Sequence, residues 1–221
     1  HLNVYTTPHG RNRIIDIIGD LGGFAFEDYD SECENSFANE NGDRYITCLN
    51  ADFTLQRPEY IAATPRGNWT GKTKGGLILS KDCGSTWERL PMPRGLSEFI
   101  DQKLDNIEKP NVDSGWTAIS ADSKRIMWAV AGGRGFSNKA VCYTDDEGKT
   151  WQKSIFTDSS GNSADEHNVK IFSDYYNSDL FFAIAERENL GLYISRDKGA
   201  TFRELSIKTD IKCPRYAHYQ L

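Results

Sequence analysis

Short apolar runs recur along the chain, each four or five residues long and bounded by Gly, Asn, Asp or Ser. Three typical runs lie at 126–130, 180–184 and 191–194, and all are rich in β-branched and aromatic residues. Such runs are typical of strands, and no long segment shows the apolar spacing of a helix. The pattern therefore predicts an all-β fold built from many short strands.

One eight-residue pattern, Ser/Thr-x-Asp-x-Gly-x-Thr-aromatic, appears three times, at 80–87, 144–151 and 195–202. This Asp-box marks a hairpin inside one blade of a β-propeller, and a blade of four strands takes about 40–50 residues. Three boxed units and an unboxed N-terminal segment predict about four blades. The chain 1–221 is therefore expected to be one β-propeller domain, or about four blades of a larger one.

The residues of each box are predicted to be structural. The aspartates should accept hydrogen bonds from turn amides, and the glycines should adopt a backbone that other residues adopt at a cost. The closing aromatic residues Trp87, Trp151 and Phe202 should return the chain to the core. Calcium binding is an alternative, because acidic residues at 145–147 precede a Gly, but the segment lacks the alternating ligands and distal Glu of a calcium loop.

Charge and cysteine content narrow the range of partners. The 221 residues carry 26 Lys and Arg against 32 Asp and Glu, a net charge of −6 without a basic run, which argues against nucleic acid. No apolar stretch approaches the roughly 20 residues of a membrane span. Five cysteines fit no zinc spacing, and no metal or cofactor is predicted. Cys33 and Cys48 flank a polar loop and are the expected disulfide pair.

The unboxed N-terminal segment contains Gly19-Asp20-Leu21-Gly22-Gly23-Phe24. This motif resembles the start of the second propeller in glycoside hydrolase family 74. Segments 58–61, 119–128 and 172–183 resemble later runs of that family in the same order, so the likeness covers most of 10–206. It implies a secreted xyloglucanase or related endo-β-1,4-glucanase, in which two seven-bladed propellers face each other across a cleft.

The resemblance also implies roles for individual residues. Asp20 would be the general acid of an inverting glycosidase, and Gly22, Gly23 and Phe24 would line the substrate groove. Inverting enzymes need two carboxylates about 6.5–9.5 Å apart. The family's other Asp-x-Gly-Gly motif is absent here, so a second propeller domain or chain is expected to supply the partner carboxylate. Phe26 also stands where the family frequently has His.

Aromatic residues in or near Gly-rich loops are candidates for stacking on sugar rings of a polysaccharide such as xyloglucan, with ordinary packing in the core or rim as the alternative. They are Trp69, Trp116 and Phe136. A non-catalytic propeller of the sortilin type, which binds glycan or protein, is the competing function. A sialidase is disfavoured, because its Arg-Ile/Leu-Pro motif is expected near the N-terminus, whereas Arg89-Leu90-Pro91 follows a box.

Overall fold

The computed structural model describes residues 3–33, 35–93, 115–130, 141–164, 169–185 and 190–206. Within these ranges the chain forms seventeen strands and no helix, so none of the described segments is a helix that could cross a membrane. The all-β prediction is confirmed.

The strands form four sheets, which follow one another along the chain. The first contains β1 (Asn3–Thr6), β2 (Ile14–Ile18), β3 (Gly22–Phe26) and β4 (Asn35–Ser36). The second contains β5 (Ile46–Phe53), β6 (Ile61–Arg66), β7 (Ile78–Ser80) and β8 (Glu88–Arg89). The third contains β9 (Trp116–Ile119), β10 (Ile126–Ala129), β11 (Val141–Thr144) and β12 (Gln152–Lys153). The fourth contains β13 (Ile155–Thr157), β14 (Val169–Ser173), β15 (Phe181–Ala185), β16 (Gly191–Ser195) and β17 (Thr201–Glu204).

Neighbouring strands are antiparallel within each sheet, except that β13 pairs with β17 in parallel. The chain therefore leaves the outer edge of the third sheet and adds one strand to the outer edge of the fourth. The edge strands β5, β9 and β14 of the second, third and fourth sheets lie side by side as inner strands. This arrangement is that of consecutive four-stranded propeller blades, as predicted.

Apolar side chains hold the sheets face to face in three clusters. One joins the first and second sheets through residues such as Ile15, Ile17 and Phe53. Another joins the second and third around Trp128, which is fully buried. The last joins the third and fourth around Phe202. Among the described residues, no such cluster joins the fourth sheet to the first.

The strand order gives the array two different ends. The three boxes lie at one end, together with the β1–β2, β5–β6, β9–β10 and β14–β15 turns; we call this the box end. The β2–β3 turn lies at the opposite end, with the β6–β7 connection and the start of each inner strand; we call this the Asp20 end. Contacts across sheets agree, since Asn12 before β2 donates to the carbonyl of Cys83 in a box.

The three boxes form the same turn. In the first, Ser80 Oγ accepts from the Gly84 amide at 2.8 Å, and Asp82 accepts from the Thr86 amide at 2.8 Å and from its hydroxyl at 2.6 Å. The equivalent bonds to Asp146 and Asp197 have almost the same lengths. Each box therefore closes on its own side chains.

Box glycines also allow close approach between sheets. Gly148 has φ of 84°, and a Cβ there would lie 3.0 Å from the carbonyl oxygen of Pro91 in the preceding sheet. A Cβ on Gly199, with φ of 78°, would overlap Met127. The glycines are thus needed both for the turn conformation and for packing against the preceding sheet.

Two expectations from the sequence are corrected. Trp87 and Phe202 are buried, but Trp151 is only partly buried at the edge of its cluster, where its indole N–H donates to the Pro91 carbonyl at 2.9 Å. Cys33 and Cys48 are free thiols, because Cys48 points into the core while Cys33 lies in an exposed turn.

The acidic run of the second box does not gather around a common point. Asp145 pairs with Arg125 at 2.6 Å, and Glu147 pairs with Lys81 at 2.6 Å. Asp146 accepts bonds from the two threonines of its own box, and the Thr150 hydroxyl and amide lower its pKa to about 2. Each carboxylate therefore has a separate protein partner.

Candidate functional site at the Asp20 end

Asp20 lies in the tight turn that joins β2 to β3. The residue is exposed and has a left-handed backbone, with φ of 62°. Its amide donates to Oγ1 of Thr47 at 2.9 Å, and the Thr47 hydroxyl donates to Oδ1 of Asp20 at 3.4 Å. The innermost strand of the second sheet therefore holds the carboxylate of the first.

Thr47 was not singled out by the sequence pattern, since it lies far along the chain from Asp20. It occupies a part of β5 where the pairing with β6 shifts register between Ile46 and Cys48. Its φ of 40° is unusual for a β-branched residue. Strained backbone of this kind is concentrated at functional sites, so two such residues in contact mark this turn as a candidate site.

The two glycines after Asp20 are buried. A Cβ on Gly22, where φ is 79°, would lie 2.7 Å from the Tyr45 carbonyl oxygen. A Cβ on Gly23 would lie 2.8 Å from the Phe37 ring. Their small size is explained by packing against the connection from β4 to β5, and contact with a sugar at Gly22 or Gly23 stays a prediction.

Phe24 is half-buried on the first sheet. Its neighbour Ala25 points into the cluster shared with the second sheet, so Phe24 points away from that sheet. Its ring lies 6.4 Å from the Phe26 ring, centroid to centroid. The Arg44 guanidinium carbon lies 6.0 Å from the centroid of the Phe24 ring.

Trp69 stands on a well-bonded loop between β6 and β7. Asn68 organises this loop, because its side-chain oxygen accepts from the Thr70 hydroxyl at 2.8 Å and from the Lys72 amide at 3.0 Å. Its side-chain amide donates to the Arg44 carbonyl at 3.1 Å, which ties the loop to the β4–β5 connection. Trp69 itself is 60% exposed, so its ring is available to a ligand.

Trp116 begins β9, also at the Asp20 end. It is half-buried, and its ring meets that of Phe172 edge to face at 6.1 Å. The Lys170 Nζ lies 5.3 Å from the centroid of the Trp116 ring. The buried indole N–H makes no hydrogen bond to any residue that the structure describes. Phe136 lies outside the described residues.

The predicted residues therefore share one end of the molecule, in different environments. Asp20 and Trp69 are exposed at turns, Trp116 is half-buried at the start of an inner strand, and Phe24 lies on the outward sheet face. The topology places segments that are separated along the chain at the same end of the array, and their action as one site stays a prediction.

A perturbed carboxyl lies away from this site, near the box end of β5. Asp52 accepts the Ile119 amide at 2.7 Å and the Ser173 hydroxyl at 3.1 Å. Burial raises the pKa of Asp52 to about 7, although these bonds act in the opposite direction. Asp52 thus links the inner strands of three sheets, and the only sequence signal for it is an acidic residue within an apolar strand.

A cavity of about 390 Å³ opens at the box end. It is lined by Arg57, Tyr60, Ser123, Lys124, Arg125, Asp145, Glu147 and Lys198. Its charged groups are largely paired within the protein, as in Arg125 with Asp145 and Lys198 with Asp122. Because neither Asp20 nor the predicted aromatic residues line it, we assign the candidate site to the Asp20 end.

Solved structures similar to this chain include enzymes of glycoside hydrolase family 74. The GH74 xyloglucanase from Xanthomonas campestris has a TM-score of 0.63 and 19% identity, over 96% of this chain and 26% of that one. The GH74 enzyme from Niastella koreensis has a TM-score of 0.63 and 18% identity, over 93% and 24%. An ancestral GH74 enzyme has a TM-score of 0.61 and 14% identity, over 95% and 24%.

No protein-family model and no curated protein matches the sequence. This chain spans about a quarter of the length of the GH74 enzymes. At these identities the likeness concerns the arrangement of strands. The chain therefore has the β-propeller fold of these enzymes.

Proposed function

We propose that this chain is part of a secreted glycoside hydrolase that acts on a β-1,4-glucan such as xyloglucan, with Asp20 as the general acid. The observation that carries the proposal is the Asp20 turn, in which a strained Thr47 from the next sheet holds an exposed carboxylate. The fold shared with a xyloglucanase supports it, as does the exposed Trp69 at the same end.

The chemistry assigns one step to this chain. In an inverting glycosidase the acid protonates the leaving oxygen, while a second carboxylate activates water on the other face of the sugar. Asp20 would deliver that proton. A catalytic acid must hold its proton at the working pH, which usually requires burial. Because Asp20 is exposed here, the proposal requires a second propeller to cover it and to supply the base.

Activity measurements test this directly. The chain alone should release no reducing sugar from xyloglucan. In the longer gene product, or after reconstitution with the second propeller, Asp20→Asn should lower kcat by about 10²–10⁴ and leave binding intact. Asp30→Asn is the matched control, since Asp30 is an exposed carboxylate in the turn after β3. Unchanged turnover in Asp20→Asn would rule out the catalytic role.

A non-catalytic propeller that binds glycan or protein is the second candidate, and the exposure of Asp20 favours it. If the chain has that function, Trp69→Ala should abolish binding of the glycan or protein. Asp20→Asn should then have no effect on the hydrolysis of xyloglucan.

A further inference from the structure

Asp20 differs from the box aspartates in how its two carboxyl oxygens are used. In the first box both oxygens of Asp82 accept from Thr86, Oδ1 from the amide and Oδ2 from the hydroxyl, and the other two boxes repeat these bonds. Asp20 accepts through Oδ1, from the Thr47 hydroxyl at 3.4 Å, while its Oδ2 accepts no hydrogen bond from the described part of the chain. One oxygen of Asp20 is therefore engaged by the protein and the other is not.

The backbone of β5 places Thr47 against the Asp20 turn. The register of the β5–β6 pairing shifts between Ile46 and Cys48, and both of these neighbours are buried. Register shifts such as β-bulges re-aim a side chain and are common beside active sites. The Thr47 hydroxyl contacts the turn twice, since it accepts the Asp20 amide at 2.9 Å and donates to Oδ1. Rotation of the Asp20 carboxyl is thereby restrained.

These two bonds determine where the proton of a neutral Asp20 lies. A protonated carboxyl has one O–H donor. Oδ1 already receives the hydrogen of the Thr47 hydroxyl, so Oδ2 carries the proton. In the reaction the glycosidic C–O bond breaks, the leaving oxygen takes this proton, and water activated by the partner carboxylate forms the new C–O bond. An acid whose proton is held in one position can reach the leaving oxygen without reorienting.

We propose that Thr47 is a positioning residue for the general acid, which fixes Asp20 so that Oδ2 carries the transferable proton. The inference rests on the proposed function, because it assigns a role in the same proton transfer. Thr47 acts through Asp20 and not through contact with the sugar. Removal of its hydroxyl should therefore slow the chemical step and leave substrate binding unchanged.

The test uses the longer gene product, or the chain reconstituted with the second propeller, acting on xyloglucan. Thr47→Val removes the hydroxyl and keeps a β-branched side chain. It should lower kcat about 10- to 100-fold without changing KM. Thr47→Ser retains a hydroxyl and should recover most of the activity. Thr150→Val is the matched control, because it removes the same kind of hydroxyl–carboxylate bond from a box, and its kcat should equal that of the wild type.

A second substrate separates positioning of the acid from a general structural effect. The dinitrophenyl glycoside of a cello-oligosaccharide releases a stable phenolate, so its leaving oxygen needs no proton. On this substrate Thr47→Val and Asp20→Asn should both react at nearly the wild-type rate. Thermal melting verifies that each variant folds. If the valine variant does not, Thr47→Gly replaces it, since glycine also lacks the hydroxyl and suits the left-handed backbone at this position.

The outcomes separate the two proposals. A low kcat in Asp20→Asn with an unchanged kcat in Thr47→Val overturns the role of Thr47 and leaves the proposed function intact. The role of Thr47 is also overturned if Thr47→Val loses the same rate on xyloglucan and on the dinitrophenyl glycoside, or if Thr47→Ser recovers nothing. Unchanged turnover of xyloglucan in Asp20→Asn overturns both proposals.

Discussion

The two ends of this molecule are built on different principles. At the box end one turn is repeated three times with nearly the same hydrogen bonds, and the ion pairs Lys81–Glu147 and Arg125–Asp145 lie beside it. At the Asp20 end each connection is different, a tryptophan is exposed, and cations lie beside aromatic rings. The end with the repeated turn therefore has a structural role, and the end whose connections differ from one another carries the candidate site.

The largest difference between the ends should appear in stability. Phe202 closes the third box, is fully buried, and stacks on Phe156 at 4.8 Å. Phe202→Ala should lower the free energy of unfolding by about 3–5 kcal/mol, measured by urea denaturation. A loss below about 1 kcal/mol would contradict the structural role of the box aromatics. Trp151→Ala should cost less, because Trp151 is only partly buried.

The carboxyl between the inner strands should give stability a pH dependence. Asp52 has its pKa raised from 3.8 to about 7, so its protonated form is favoured in the fold. Asp52 therefore makes its full contribution to the free energy of unfolding below about pH 4, and this contribution is lost as pH rises through 7. The full shift corresponds to about 4 kcal/mol. Because Asp52 keeps partial exposure, we expect about 2 kcal/mol.

The isosteric variant Asp52→Asn cannot ionise and should lack this loss. The free energy of unfolding of Asp52→Asn minus that of the wild type should therefore be larger at pH 8 than at pH 4. Urea denaturation at both pH values measures this difference. Asp30→Asn, a change at an exposed carboxylate, serves as the control and should show no such difference. If the two variants behave alike, burial does not raise the pKa of Asp52 in the folded protein.

The box carboxylates should have a smaller and local effect. Burial alone would raise the pKa of Asp82, but hydrogen bonds from Thr86 and Ser80 outweigh burial and lower it. Asp82→Ala removes these bonds and should cost about 1–2 kcal/mol. Its stability contribution should be present above the ordinary pKa and decline as pH falls below it. Glycan binding should be unchanged, and its loss would break the distinction between the two ends.

The smallest stability effect is expected where the largest binding effect lies. Trp69 is exposed and outside the apolar clusters, so Trp69→Ala should change the free energy of unfolding by less than about 0.5 kcal/mol. It should weaken glycan binding measurably by calorimetry. A strongly destabilised Trp69→Ala with unaltered binding would assign this tryptophan to packing.

The fold was readable from the sequence because its main signal is local. Each box closes on residues within the same eight positions, as Asp82 does with Ser80 and Thr86, so the repeat predicts the turn without knowledge of the rest. The short apolar runs likewise predict the strands. The degree of burial was less predictable: Trp151 matches Trp87 in the pattern, yet it lies at the edge of its cluster.

By itself, the sequence determined the strands, the three turns and the candidate carboxylate at Asp20, because these depend on neighbouring residues or on a continuous motif. Only the tertiary structure decided which residues support that carboxylate. Thr47 reaches Asp20 from the next sheet, and Arg44 and Lys170 reach rings on other strands. Asp52 likewise bonds to residues of the third and fourth sheets. Such contacts depend on how whole sheets stack, and no local pattern encodes them.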